Sequence, residues 1–177
     1  NAATGKTPAE LDAWVESTLA DMPLRQKIGQ LIISGVPDDF AKERTCEQIQ
    51  MLRPAGITFQ YGNIRNPEQL RSFIRELGEC ARQSSAIPLL FTLSHEGENT
   101  RFAGGVTAFP SALALGATGD PAAAYQAALA SGLELKYSGI NMILGPVADV
   151  LAELDNQVIY DRTFGGDLVV LQESFSG

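Results

Sequence analysis

Apolar residues occur along the chain either at helical spacing, which predicts helices, or in short continuous runs, which predict strands. The first helix is predicted to begin at Pro8, because Thr7 and Glu10 have the spacing of a capping box. Its apolar face is formed by five residues at helical spacing: Leu11, Trp14, Val15, Leu19 and Met22. Short continuous apolar runs come next, and these are typical of buried strands.

Four such runs are predicted strands: Leu31–Ser34, Gly56–Gln60, Pro88–Leu93 and Ile140–Leu144. Helical patterns separate them: Phe40–Leu52, a helix starting at Asn66-Pro67 with an apolar stripe of Leu70, Phe73, Ile74 and Leu77, and a helix from Asp120 to about Tyr137. The excursion AGGVTAFPSALALGATG follows the third strand, and no regular element is predicted in it.

Strands alternating with helices predict an α/β fold with a parallel sheet. A doubly wound dinucleotide-binding sheet would carry GxGxxG after the first strand, where ISGVPDDF stands instead. The remaining solution is the first half of a TIM-type (β/α)₈ barrel, since eight strands need about 250 residues. Residues 1–7 are expected to be a tail or cloning scar, and residues 8–177 a partial barrel domain.

Charge and cysteine content narrow the function classes. The net charge of −8 argues against nucleic acid or an anionic membrane surface as partner. No apolar run approaches the roughly 20 residues that span a bilayer. Cys46 and Cys80 are expected to be buried free thiols on two helices, with a disulfide as the alternative. The polar start NAATGKT hints at an exported mature protein.

Candidate chemistry collects where the predicted strands end, the edge at which parallel α/β folds place their sites. Glu96 follows the third strand and Asp149 follows the fourth, so the two could form the carboxylate pair of a glycosidase. Alternatively, Glu96 pairs with Arg101 and Asp149 caps the turn after Pro146. His95 is the only histidine and has no metal-ligand spacing, so no metal site is expected.

Arg162 lies in the Gly-flanked segment VIYDRTFGGD beyond the fourth strand. A guanidinium placed there can hold a hydroxyl or a carboxylate through its fork of donors. The alternative is an ion pair with Asp161 or Asp167 in a solvated loop.

Six segments occur in order between about Leu24 and Asp167: LRQKIGQLIISG, GITFQYGNIRNPEQL, PLLFTLSHEGENTRF, TAFPSALALGATGD, GINMILGPVADV and VIYDRTFGGD. Together they resemble the N-terminal barrel domain of family 3 glycoside hydrolases, nearest the bacterial β-N-acetylglucosaminidases. The resemblance implies a (β/α)₈ barrel that binds its sugar at the C-terminal ends of the strands.

The resemblance assigns substrate-binding roles to Arg101 and Arg162, with Glu96 and Asp149 in support. The family's third strand ends in Asp-x-Glu-Gly-Gly-x-Val-x-Arg, and Arg101 lies one position closer to the Glu than that pattern has it. Ser94 stands where the family Asp grips the sugar hydroxyls. Neither the family's acid/base loop nor its nucleophilic Asp occurs in these residues, so no catalytic residue is assigned.

Two functions are therefore expected. In the first, the chain is the N-terminal part of a retaining β-glycosidase, with a carbohydrate substrate and no cofactor, and is inactive in isolation. In the second, it is a degenerate module that binds sugar or a partner, and two half-barrels could dimerise through their open sheet edges.

Overall fold

The structure, a computed structural model, describes residues 5–96, 105–153 and 155–167. Four parallel strands form one sheet in the order β1-β2-β3-β4. The strands are β1 (Ile33–Gly35), β2 (Gly56–Thr58), β3 (Leu90–Ser94) and β4 (Met142–Leu144). The helices are α1 (Pro8–Asp21), α2 (Leu24–Gly29), α3 (Glu43–Leu52), α4 (Pro67–Arg82), α5 (Ala112–Ala117) and α6 (Pro121–Tyr137).

The alternation of strand and helix confirms the predicted parallel α/β sheet. Neighbouring strands pair in register, with Ile57 opposite Phe91 and Leu93 opposite Ile143. All four C-terminal strand ends therefore lie at one edge of the sheet, and the segments that follow β3 and β4 leave it side by side.

The core lies between α4 and the middle of the sheet. All four residues of the predicted α4 stripe are buried: Leu70, Phe73, Ile74 and Leu77. Phe73 meets Phe59 edge to face at 5.7 Å between ring centroids. Asn66 caps this helix by accepting a hydrogen bond from the Gln69 amide, and Pro67 occupies the first turn. The sequence prediction of α4 is confirmed in both its start and its buried face.

The edge strands differ from their prediction. β1 and β4 were expected to be buried, yet Ile33 in β1 and Met142, Ile143 and Leu144 in β4 are all exposed. The reason is positional: β2 and β3 are flanked by strands on both sides, whereas β1 and β4 each leave one edge without a strand among the described residues.

α1 keeps its predicted start but not its predicted burial. The capping box is present, since Thr7 accepts from the Glu10 amide while the Glu10 carboxylate accepts from the Thr7 amide at 2.7 Å. No residue of the helix itself is buried, and Trp14, Val15 and Leu19 are exposed. The capping chemistry is local and forms regardless of what covers the apolar face.

The excursion after β3 contains a helix that the sequence pattern did not predict. Ser111 caps α5 by accepting from the Ala114 amide. Six residues are too few to show helical periodicity, so the pattern could not reveal this element.

The expectation of free thiols is wrong. Cys46 of α3 and Cys80 of α4 form a disulfide, with their Cα atoms 5.1 Å apart. Spacing along the chain does not show that two helices are neighbours, and this contact depends on the packing of α3 beside α4.

The domain boundary expected at residue 8 stays a prediction. Pro8 is the first residue of α1, while residues 1–4 of the expected tail lie outside the described residues. Across the described ranges, no helix combines the length and apolar character needed to cross a membrane.

The burial pattern predicts that two identical Leu→Ala substitutions will have very different costs. Leu77 is 0% exposed and Leu24 is 73% exposed. Leu77→Ala should lower the free energy of unfolding by about 2–5 kcal/mol, because it removes packed methyl groups and leaves a cavity. Leu24→Ala should lower it by less than about 0.5 kcal/mol. Urea unfolding of both variants measures the difference, and equal losses would contradict this assignment of the core.

Candidate functional site

The candidate site lies at the C-terminal ends of β3 and β4. Ser94, the last residue of β3, pairs with Leu144, the last residue of β4. Beyond these strands Gly145 lies beside the β3 segment, since a Cβ on it would be in van der Waals contact with the His95 carbonyl oxygen, at 3.4 Å. The expectation that strands three and four are neighbours is confirmed, and Glu96 leaves the sheet at this point.

Glu96 and Arg162 form a two-pronged ion pair at this edge. Arg162 donates from Nε to Oε2 of Glu96 at 2.5 Å and from Nη2 to Oε1 at 2.9 Å. The Glu96 side chain is 11% exposed and that of Arg162 is 37% exposed, so the pair is partly shielded from water. Neither sequence interpretation had named this partnership, which joins residues 66 positions apart. Arg101 lies outside the described residues.

Hydrogen bonding to Glu96 raises the pKa of Arg162, and this is the largest effect. Burial lowers the pKa, and the charges of Glu96, Asp161 and Asp149 raise it by smaller amounts. Nη1 donates to the Val158 carbonyl at 3.0 Å. Nη1 and Nη2 each carry two N–H groups and each gives one of them to a described acceptor. Each nitrogen therefore keeps one N–H that no acceptor within the described ranges takes.

The loop that carries Arg162 is anchored by its neighbours in sequence. Thr163 is fully buried, and its hydroxyl donates to the Asp149 carbonyl oxygen at 2.5 Å. The Leu151 amide donates to Gly165 at 3.0 Å, and the Asp161 carbonyl accepts from the Leu113 amide in α5. These bonds fix the backbone of the loop on both sides of Arg162.

A glycine of α5 makes room for this loop. A Cβ on Gly116 would lie 1.9 Å from the carbonyl oxygen of Phe164, far inside contact distance. Because only glycine lacks that atom, Gly116 lets the chain pass directly over α5 two residues beyond Arg162.

Asp149 contributes through its backbone and through its charge. Its carbonyl oxygen is the acceptor for Thr163, and its carboxylate is exposed and close enough to raise the pKa of Arg162. In the structure Glu96 and Arg162 are in direct contact, and Asp149 acts on the guanidinium through its charge; the substrate-binding roles expected for the three residues stay predictions.

His95 directly precedes Glu96, and its ring contacts α6. It is 9% exposed, and its Nε2 is 3.4 Å from the Ser131 hydroxyl oxygen. Its Nδ1 is buried and has no hydrogen-bond partner among the described residues. Burial lowers the pKa of His95, and the nearby carboxylates of Glu134 and Glu96 oppose that shift.

A cavity of about 220 Å³ adjoins His95, Glu96 and Arg162. Its other walls are mainly apolar and come from α5, α6, the end of β4 and the loops beside them, and include Phe109, Ala112, Ala128, Ile143 and Phe164. Sequence reasoning identified the charged rim of this cavity but not its apolar wall. The apolar wall residues come from four separate segments, 109–115, 124–128, 143–147 and Phe164, which meet only in the folded structure.

Among the described residues, no three His, Cys, Asp or Glu side chains are grouped so that they could hold a metal ion. The polar groups at this edge include the carboxylates of Glu96 and Asp149, the guanidinium of Arg162 and the imidazole of His95. Such a set can bind hydroxyl groups, since carboxylates accept and guanidinium N–H groups donate.

Comparison with solved structures gives strong matches to hydrolases. The chain is 35% identical to a glycoside hydrolase family 3 β-N-acetylglucosaminidase from Paenibacillus sp. str. FPU-7, with a TM-score of 0.83, over 86% of this chain and 29% of that one. It is 27% identical to a β-N-acetylhexosaminidase from Beutenbergia cavernae, with a TM-score of 0.76, over 88% of this chain and 48% of that one.

A curated relative agrees with the structural matches. The β-N-acetylglucosaminidase/β-glucosidase of Cellulomonas fimi is 28% identical over 157 residues, which cover 88% of this chain and 26% of the relative. The chain thus spans between about a quarter and a half of the length of these relatives.

The family model described as the glycosyl hydrolase family 3 N terminal domain matches residues 23–173. This range includes all four strands, the Glu96–Arg162 pair and every residue that lines the cavity. The chain belongs to the glycosyl hydrolase family 3 N-terminal domain family.

Proposed function

We propose that the chain forms the sugar-positioning part of a retaining β-glycosidase that acts on β-linked N-acetylglucosamine or glucose. The observation that carries this proposal is the Glu96–Arg162 pair at the C-terminal edge of the sheet. Barrel enzymes assemble their sites at that edge, and the relatives named above are β-N-acetylglucosaminidases and a β-glucosidase.

In this proposal Arg162 binds a sugar hydroxyl through the N–H groups that it retains. Glu96 holds the guanidinium in one orientation, because two parallel hydrogen bonds fix both its position and its plane. Asp149, exposed and close to the same guanidinium, accepts from a neighbouring hydroxyl. Arg101 is assigned to the same sugar through the family pattern alone.

Hydrolysis requires more than these residues supply. Retaining glycosidases use an acid/base and a nucleophile about 5 Å apart. Neither group of the family pattern is assigned within this chain, so we propose that residues 8–177 orient the substrate and that other residues of the whole enzyme cleave it. Residues 1–7 are proposed to be a tail outside this domain.

The second candidate is a module that binds sugar or a partner without catalysis. It is favoured by Ser94, which ends β3 where the family pattern has a sugar-gripping Asp. A hydroxyl replaces a carboxylate there, and a charge-assisted hydrogen bond is about twice as strong as a neutral one.

A homodimer would give this second candidate a closed structure. β1 and β4 both expose apolar residues, and a two-fold axis along the barrel would pair β4 of each copy with β1 of the other in parallel. Two copies of a four-stranded sheet would supply the eight strands that a closed barrel needs.

Sugar binding is expected to depend on Arg162. With N-acetylglucosamine and glucose as probes, Arg162→Ala should weaken binding roughly 10- to 150-fold, since a charge-assisted bond contributes about 1.5–3 kcal/mol. Calorimetric titration measures the change. The matched control is Arg75→Ala, because Arg75 is an exposed arginine of α4 whose ion pair with Glu79 spans 3.8 Å.

Equal effects of the two arginine variants, or no saccharide binding at all, would contradict the site. A parallel assay with p-nitrophenyl β-N-acetylglucosaminide should show no turnover by the chain alone. Ser94→Asp distinguishes the two candidates in the same titration, because tighter binding by this variant would show that the natural Ser94 has weakened the site.

His95 is proposed to be a structural residue beneath the site rather than an acid–base group. Its folded pKa is lowered by burial below the unfolded value of about 6.5, so the unfolded state binds the proton first as the pH falls. The free energy of unfolding should therefore decrease below about pH 6.5, by at most about 1.4 kcal/mol per pH unit from this group. His95→Gln should remove that part of the slope, as measured by urea unfolding between pH 7.5 and pH 5. Identical slopes in the two proteins would show that His95 does not act this way.

Dimerisation is expected to require the edge strands. Under the second candidate the chain should sediment at about twice its monomer mass, and Ile143→Lys in β4 should yield monomers, because a charge on an edge strand opposes pairing. Leu133→Lys is the control, since Leu133 is exposed on α6 rather than on a sheet edge. A wild-type chain that stays monomeric at all concentrations would exclude the paired half-barrel.

A further inference from the structure

The disulfide between Cys46 and Cys80 lies on the outer layer of helices, away from the candidate site. Cys46 is in the first turn of α3 and Cys80 is in the last turn of α4. Cys80 is buried and Cys46 is half-buried. Neither residue contributes to the cavity beside Glu96 and Arg162. The cross-link therefore has no part in the proposed sugar site.

Few side chains of α3 are buried. Only Thr45 and Ile49 of its ten residues are buried, while Met51 and Leu52 are exposed. Lys42 precedes the helix and gives it no side-chain cap. Thr45 is polar, so Ile49 is the one buried apolar residue of α3, whereas α4 has seven buried residues.

The polar contacts between the two helices gather around the cross-link. Gln50 of α3 donates from Nε2 to the Gln83 side chain at 2.9 Å and approaches the Cys80 carbonyl oxygen at 3.5 Å. Ala41, just before α3, donates from its amide to the Glu76 carboxylate at 3.2 Å. These bonds to α4 are partly exposed, and hydrogen bonds in contact with water contribute little net stability. The disulfide between Cys46 and Cys80 is covalent, so contact with water does not weaken it as it weakens these hydrogen bonds.

We propose that the Cys46–Cys80 bond is a structural staple that holds α3 against α4, and that the chain works in an oxidising compartment. Structural disulfides form and persist in the periplasm, at cell surfaces and outside cells, and are rare in reducing cytosol. The bond forms by exchange with the disulfide of a protein thiol oxidase: a Cys thiolate attacks that disulfide, and the second Cys then displaces the oxidase. Two thiols of this chain are oxidised, one disulfide of the oxidase is reduced to two thiols, and the two protons go to the latter.

The staple should act mainly on α3. The bond closes a loop between residues 34 positions apart, which restricts the unfolded chain and disfavours unfolding. Reduction should therefore lower the melting temperature of the chain and increase amide exchange in α3, from Glu43 to Leu52, and in the last turn of α4. The β3 amides near Glu96 should keep their protection, because that edge of the sheet is held by other contacts.

The test uses the 177-residue chain, oxidised with glutathione disulfide and then treated with a phosphine reductant. Thiol titration in denaturant should find no free thiol before reduction and two after it. The melting temperature should fall by about 5–15 °C on reduction. Hydrogen exchange with mass spectrometry should localise the new exposure to α3. Because reduced and oxidised proteins share every side chain, this comparison does not depend on whether a variant folds.

The Cys46→Ala/Cys80→Ala double variant is the matched control. It should melt near the temperature of the reduced chain and should not respond to the reductant. The proposal is overturned if oxidised chain still titrates two thiols, if reduction leaves the melting temperature unchanged, or if the exchange increases uniformly rather than in α3.

Discussion

The parallel pairing of β2 with β3, covered by α4, is the arrangement on which the rest of the structure depends. These two strands are flanked on both sides, and the apolar stripe of α4 is buried against them. Each fully buried large apolar side chain contributes about 1.5–3 kcal/mol relative to exposure, so this layer supplies most of the hydrophobic stabilisation. Phe59 connects the layer, because its ring contacts both Phe73 of α4 and Phe91 of β3.

The candidate site follows from that pairing by geometry. Once β3 and β4 run parallel and in register, the segments that leave them must start side by side. Glu96 emerges at this edge, and the loop after β4 brings Arg162 back to it, with Thr163 buried as the anchor. The charged pair therefore rests on a rigid layer, which is the condition for positioning a ligand rather than only attracting it.

The strands of the sheet differ in how deeply they are buried. Its middle is well buried, whereas β1, β4 and the apolar face of α1 are exposed. Exposed apolar edge strands tend to pair with another strand, so we expect further strands to cover β1 and β4. The cross-link joins α3 to α4 away from the cavity, while the sugar-binding proposal concerns the ends of β3 and β4.

The sequence alone predicted the helix caps and apolar stripes, but it did not predict which distant residues contact each other. The capping box at Thr7, the Asn66 cap and the stripe from Leu70 to Leu77 depend on residues within one or two helical turns, so spacing alone predicted them. The position of Glu96 and Asp149 just after the third and fourth strands also followed from the alternation of strands and helices. The partner of Arg162, the bond between Cys46 and Cys80 and the exposure of β1 and β4 each depend on which elements become neighbours. Spacing along a chain carries no information on that choice, because it is made when the helices and strands pack together.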